Sequence, residues 1–137
     1  MVLCSSCADD CDIEPYPSNI KRLLETKQCP GCKFGRANFQ NAQLAGADLR
    51  RANLANTEFD GANLTGADLT GAEFQGMQIA TFFSCTGIYT PSFFGANLSQ
   101  AKLTNANLVD VNLSEANLRA TDFSNSIYGV LIWKMLN

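Results

Sequence analysis

Cysteines are the side chains most able to do chemistry in this 137-residue chain, and most of its six cysteines lie near the N-terminus. Two Cys-x2-Cys pairs, Cys4 with Cys7 and Cys29 with Cys32, have a spacing typical of a zinc site. The same residues could instead form disulfides in an oxidising compartment or remain free thiols, and the spacing leaves all three interpretations open. Cys85 lies far from the N-terminal group and is predicted to be free.

Other catalytic chemistry is hard to build from this sequence. The chain contains no histidine, which excludes Ser-His-Asp triads, Cys-His nucleophiles and histidine metal sites. It also lacks a glycine-rich phosphate loop and a serine nucleophile elbow. We therefore predict no enzyme, no catalytic residue and no cofactor, with no metal beyond the alternative of zinc at the four cysteines.

A period of five residues runs through most of the chain. Written in fives from Cys32, the sequence reads CKFGR, ANFQN, AQLAG, ADLRR, ANLAN and so on, and it resumes later as ANLSQ, AKLTN and ANLVD. The third position, here called the centre, is Phe, Leu or Ile, and the residue two before it is usually Ala. A five-residue period fits neither a helix nor a plain strand. It predicts a chain that turns a corner every five residues, with the centre and the small residue both pointing inward.

The motif A-[D/N]-[L/F]-X-X resembles that of the pentapeptide repeat family. The resemblance implies an all-β solenoid, a right-handed quadrilateral β-helix with four repeats in each coil, and about four coils here. It covers residues 32–126. We expect residues 1–31 to form a cysteine-rich segment and a short N-terminal α-helical cap, and residues 127–137 to form an apolar C-terminal cap.

Four repeats per coil place equivalent residues 20 positions apart. Centres on the first two faces should be Phe34, Leu54 and Phe74, and then Phe39, Phe59 and Ile79. The third face should carry Leu44 and Leu64, and the fourth Leu49 and Leu69. The phenylalanines should therefore stack in columns on two adjacent faces.

Both ends of a solenoid need covering. Residues 17–19 (Pro-Ser-Asn) predict a helix start with Ser18 or Asn19 as N-cap. At the other end, the apolar residues 127–136 either fold over the last coil or form a homodimer seam through Ile132, Trp133 and Leu136.

The repeat is interrupted at about residues 82–92. A protruding loop is favoured there over distorted sides of the coil. We interpret Phe82, Phe83, Tyr89 and Phe94 as a candidate interaction loop, because loops on rigid scaffolds often carry function.

The overall interpretation is a non-catalytic repeat scaffold whose partner is a protein. The alternative is a DNA mimic that inhibits gyrase, a type II topoisomerase. The repeats, however, carry eight acidic and six basic residues, and two net negative charges are few for duplex mimicry. No nucleic-acid partner and no membrane insertion are predicted. The cytoplasm is favoured as the location, with the thylakoid lumen or periplasm as the alternative if a signal has been removed. The resemblance points to cyanobacterial members of the family with an N-terminal helix.

Overall fold

The computed structural model describes residues 16–74 and 90–128. Its elements are helix α1 (Pro17–Thr26) and two short strands, β1 (Asn107–Leu108) and β2 (Ile127–Tyr128), which pair in parallel. Within those residues no helix is long and apolar enough to cross a lipid bilayer.

Parallel bridges between residues 20 positions apart build most of this part of the chain into stacked coils. On one face, for example, Lys33 pairs with Asn53 and Asn53 with Glu73. Each side of a coil has only three residues between successive turns, and usually one of them forms a bridge, so nearly all pairings are isolated bridges rather than strands. Four successive faces repeat in this way, which confirms the 20-residue period predicted from the sequence.

A left-handed residue two positions after the centre makes each corner. At the corner from Leu44 to Ala47, Gly46 has φ +67° and the Ala47 N–H donates to the Leu44 carbonyl at 3.0 Å. This is the pattern of a type II turn, which favours glycine at that position. At several corners another residue takes the same conformation, including Arg51, Gln100 and Glu115.

The centres and the small residues two before them form one continuous core, as predicted. The rings of Phe39, Phe59 and Phe93 stack along the axis with centroids 5.1 and 4.8 Å apart. Phe34 and Phe74 meet this column edge-on. Among the described residues one buried polar residue, Thr57, takes a small inward position, and its hydroxyl donates to the Leu54 carbonyl at 2.6 Å.

The prediction that Ile79 follows Phe59 on the second face is wrong. Ser92 pairs with Glu58, and Phe93 stacks on Phe59, so Phe93 takes the place expected for Ile79. The step between paired residues therefore rises from 20 to 34, which places 14 inserted residues between two adjacent corners of the third coil. Ile79 itself lies outside the described residues.

The coil resumes two residues earlier than predicted, at Pro91. Pro91 is buried in a small inward position, and its carbonyl accepts from Asn112 N–H at 3.0 Å. Both Pro91 and Ser92 therefore belong to the coil rather than to the interruption.

Helix α1 begins earlier than the sequence suggested. Its N-cap is Tyr16 and its first residue is Pro17, so the prediction of Ser18 or Asn19 as N-cap is wrong. Proline suits the first helical position because it has no N–H to satisfy and its φ is already helical. The Asn19 side chain instead donates to the Lys33 carbonyl at 2.8 Å, which joins the helix to the first coil.

Candidate interaction surface

A row of outward polar side chains precedes the centres on every face. Asn or Asp is common there, and its carboxyl or amide oxygen accepts the N–H two residues later, as Asn63 does from Thr65 at 3.1 Å. Asp68 and Asn97 make the equivalent bond. The sequence showed that these positions are polar, but not that the side chains satisfy the backbone at the following corner. The feature of the sequence that could have indicated this is the Asn or Asp that recurs at a fixed distance before each turn.

One column of this row carries charges of both signs. Asp48, Asp68, Lys102 and Asp122 pair in succession on the fourth face. Arg50 holds Asp48 through two hydrogen bonds, of 2.8 and 2.7 Å, and this guanidinium keeps the Asp48 pKa below its usual value. The Ser124 hydroxyl donates a hydrogen bond to Asp122 and likewise lowers the Asp122 pKa. Asp48 lies directly below Asp68 in this column, and the column as a whole is not uniformly acidic.

Phe94 is the described member of the candidate interaction loop. It lies directly after the second-face centre Phe93, and 44% of its surface is exposed. Its N–H donates to Asp60 Oδ1 at 3.1 Å, so the backbone beneath the ring is held to the coil below. The other three members, Phe82, Phe83 and Tyr89, lie outside the described residues, and the prediction that they form a protruding loop with Phe94 stays a prediction.

Equivalent positions on this face show how unusual Phe94 is. Directly after the other second-face centres stand Gln40, Asp60 and Ser114, all of them polar. The coil therefore does not require an exposed aromatic ring directly after a second-face centre.

Cys29 and Cys32 form a disulfide across the first corner. Cys29 takes a centre position and Cys32 the small inward position, so both side chains point into the core, and their Cα atoms lie 5.4 Å apart. The sulfur atoms in this bond are not available as thiolate ligands. Cys4, Cys7 and Cys85 lie outside the described residues, and the zinc interpretation that includes Cys4 and Cys7 stays a prediction.

Metal-ligating side chains do not cluster in the described ranges. Among residues 16–74 and 90–128 no three His, Cys, Asp or Glu residues cluster as metal ligands would. The proposed dimer residues Ile132, Trp133 and Leu136 lie outside the described residues. Ile127, which precedes them, is 61% exposed at the last coil.

The family model for pentapeptide repeats matches residues 32–71 and 92–127 in eight copies, which covers more than half of the chain. The chain belongs to the pentapeptide repeat family. Proteins of this family fold as right-handed quadrilateral β-helices, and the four-sided, 20-residue coil described above agrees with that fold. The unmatched gap contains the insertion before Phe93.

Solved pentapeptide repeat structures resemble this one. A pentapeptide repeat protein from the thylakoid lumen of Arabidopsis thaliana is 27% identical with a TM-score of 0.60, and the match covers 75% of this chain. The chain spans 63% of the length of that protein. A pentapeptide repeat protein from the cyanobacterium Nostoc PCC 7120 is 24% identical with a TM-score of 0.57, covering 84% of this chain and 96% of the other. No curated protein matches the sequence.

Proposed function

We propose that this pentapeptide repeat protein is a non-catalytic scaffold that binds another protein through the surface around Phe94 and the inserted segment. The observation that carries the proposal is the exposed Phe94 ring at a position that is polar in the other three coils of the same face. Aromatic side chains are enriched at the energetically important centres of protein interfaces. The backbone of Phe94 is anchored by Asp60, so the ring is presented from a rigid coil at little entropic cost.

The insertion supports the same surface. The 14 extra residues enter between two adjacent corners of one coil, and Phe93 and Phe94 are the first two residues of the second of these corners. Phe82, Phe83 and Tyr89 belong to that segment. A partner contacting the segment would therefore meet Phe94 as well, and all four aromatic residues would contribute to one interface.

The test compares two variants in quantitative capture from the source cells, followed by binding measurements with the purified partner. In the first, Phe94→Ser places at this position the residue already found at Ser99 and Ser114, so the corner is preserved. The matched control is Val109→Ser, at the equivalent position on another face. We expect Phe94→Ser to weaken binding at least tenfold and Val109→Ser to leave it unchanged. A partner retained equally by both variants would refute the proposed surface.

The charge pattern does not favour the alternative of a DNA mimic. Duplex DNA carries a negative charge about every 1.7 Å, whereas the column on the fourth face contains Lys102, and Arg50 pairs with Asp48. We therefore expect no inhibition in a gyrase supercoiling assay. Strong inhibition that is lost on Asp48→Lys with Asp68→Lys would establish the alternative instead.

We also propose that α1 caps the first coil. Leu23 is fully buried within the core cluster, and Cys29 Sγ lies 3.7 Å from the Asn19 carbonyl oxygen. A helix in this position would shield the first ring of apolar centres from water, as the ends of a solenoid require. Leu23→Ala should therefore expose the core and lower the free energy of unfolding by about 2–5 kcal/mol in a urea melt. The neighbouring Leu24→Ala, at a 44% exposed residue, should change it by about 0.5 kcal/mol or less.

For the location, we propose an oxidising compartment such as a thylakoid lumen. The Cys29–Cys32 disulfide supports it, because reduced compartments rarely maintain such bonds. Rapid alkylation in intact cells followed by mass analysis tests this proposal. A labelled Cys29 in untreated cells would favour the cytoplasm.

A further inference from the structure

Charge is divided sharply along the axis of the coils. Residues 16–51, which comprise α1 and the first coil, contain seven basic residues and two acidic ones (Glu25 and Asp48), a net charge of +5. The described residues beyond them, 52–74 and 90–128, contain two basic residues (Lys102 and Arg119) and seven acidic ones, a net charge of −5. The basic residues of the first part are Lys21, Arg22, Lys27, Lys33, Arg36, Arg50 and Arg51.

The basic end also exposes apolar surface. Leu24 and Tyr16 are 44% and 42% exposed, and the Lys21 side chain on the same helix is 75% exposed. Lys33 and Arg51 are exposed on the first coil. A ligand for this end should therefore combine several carboxylates with a few apolar side chains.

The first fifteen residues of the chain have this composition. They contain Asp9, Asp10, Asp12 and Glu14 and no lysine or arginine, with Ile13 among the carboxylates. They lead into Tyr16, which begins α1, and the Asn19 side chain near that end donates to the Lys33 carbonyl. Glu14 therefore lies two residues before Tyr16, and Asp9 lies seven residues before it. At about 3.4 Å per residue, seven residues reach up to about 24 Å.

We propose that the basic end formed by α1 and the first coil is a binding surface for an acidic peptide, and that its occupant is residues 8–15 of the same chain. Attachment at Tyr16 gives this segment an effective concentration in the millimolar range, well above that of a second molecule at micromolar protein. Four carboxylates then offset most of the +5 charge of the end, and Ile13 is available to cover Leu24 or Tyr16.

The test measures the carboxyl titration of Asp9, Asp10 and Asp12 by carbon NMR in the full chain. The first variant, Lys33→Glu with Arg51→Glu, places glutamate where equivalent positions already carry it, at Glu58 and Glu115. The matched control, Lys102→Glu with Arg119→Glu, changes the net charge equally at the acidic end. Circular dichroism confirms that both variants fold.

At about 20 mM salt we expect the three aspartates to bind protons about tenfold more tightly in the first variant than in the wild type. The control should change their proton affinity less than twofold. At about 500 mM salt the difference should collapse, because the Debye length then falls to a few ångströms. Equal effects of both variants, or none, would overturn the proposal. A wild-type shift that grows between about 20 µM and 1 mM protein would assign the basic end to a second copy and overturn it as well.

Discussion

Removing the insertion should stabilise the protein if the coil register is as described. Deleting residues 77–90 joins Gly76 to position 91 and removes the 14 extra residues, so the chain reads Phe74-Gln-Gly and then continues to Ser92 and Phe93. Pro91 occupies the small inward position without an N–H, whereas equivalent residues donate one to the preceding centre, as Ala47 does to Leu44. The variant therefore also carries Pro91→Ala.

The size of the effect follows from loop closure. In the wild type 18 residues separate the centres Phe74 and Phe93, and in the variant four do, as between other successive centres. The closure term (3/2)RT ln(18/4) is about 1.3 kcal/mol in favour of the variant. One restored turn hydrogen bond adds about 0.5–1.5 kcal/mol. We expect the free energy of unfolding to rise by about 2 kcal/mol.

Urea melts followed by far-UV circular dichroism measure this change, with Pro91→Ala in the undeleted chain as the control. That control separates the effect of the substitution from the effect of the deletion. A variant less stable than the wild type, or one that melts without cooperativity, would refute the register across the insertion. Because the variant keeps Phe94, it also tests in binding assays whether the inserted aromatic residues contribute to the interface.

Three further predictions follow from the core, the disulfide and the charged column. Leu69→Ala should lower the free energy of unfolding by about 2–5 kcal/mol and the outward Thr70→Ala by about 0.5 or less in urea melts, and equal losses would contradict the inward assignment. Reducing the Cys29–Cys32 disulfide should destabilise the protein by about 2 kcal/mol from the entropy of a four-residue loop, measured as a lower melting temperature in dithiothreitol, and an unchanged melt would show that the bond does not form in solution. Because Arg50 lowers the pKa of Asp48 below 3.8 in the folded protein, this pair contributes stability above that pH and loses it as pH falls further. As the pH falls below about 4, the urea midpoint should therefore decrease less steeply in Asp48→Asn than in the wild type. Equal slopes in the two proteins would contradict a stabilising Arg50–Asp48 pair.

The sequence predicted the coil well because its signal is local. A centre such as Leu64 and a small residue such as Ala62 point inward whatever the rest of the chain does, provided that a corner comes every five residues. The exchange of Ile79 for Phe93 was not predictable in this way. Both residues satisfy the local motif, and only the pairing of Glu58 with Ser92, 34 positions away, decides between them.

The candidate surfaces show the same division between local and long-range information. A disulfide among the N-terminal cysteines was one of three open interpretations, and no pairing was predicted. Residues three apart across a corner both face inward, as Leu44 and Ala47 do. The coil register therefore favours this pair. The separation of charge needed the assignment of each residue to a coil. When the repeats are summed together, the acidic and basic residues nearly cancel, and the difference in charge between the two ends does not show.

The insertion also divides the coil for folding. Each coil contacts only its neighbours, and the ladder closes contacts at a constant separation of 20 residues everywhere except at this step. Ordering can therefore propagate from one coil to the next with a similar entropy cost, as in other repeat proteins. The 34-residue step interrupts that propagation, because a longer segment must close before Phe93 can stack on Phe59. The first two coils with α1 and the last two coils then behave as two blocks of nearest-neighbour stability, joined at their most slowly formed interface.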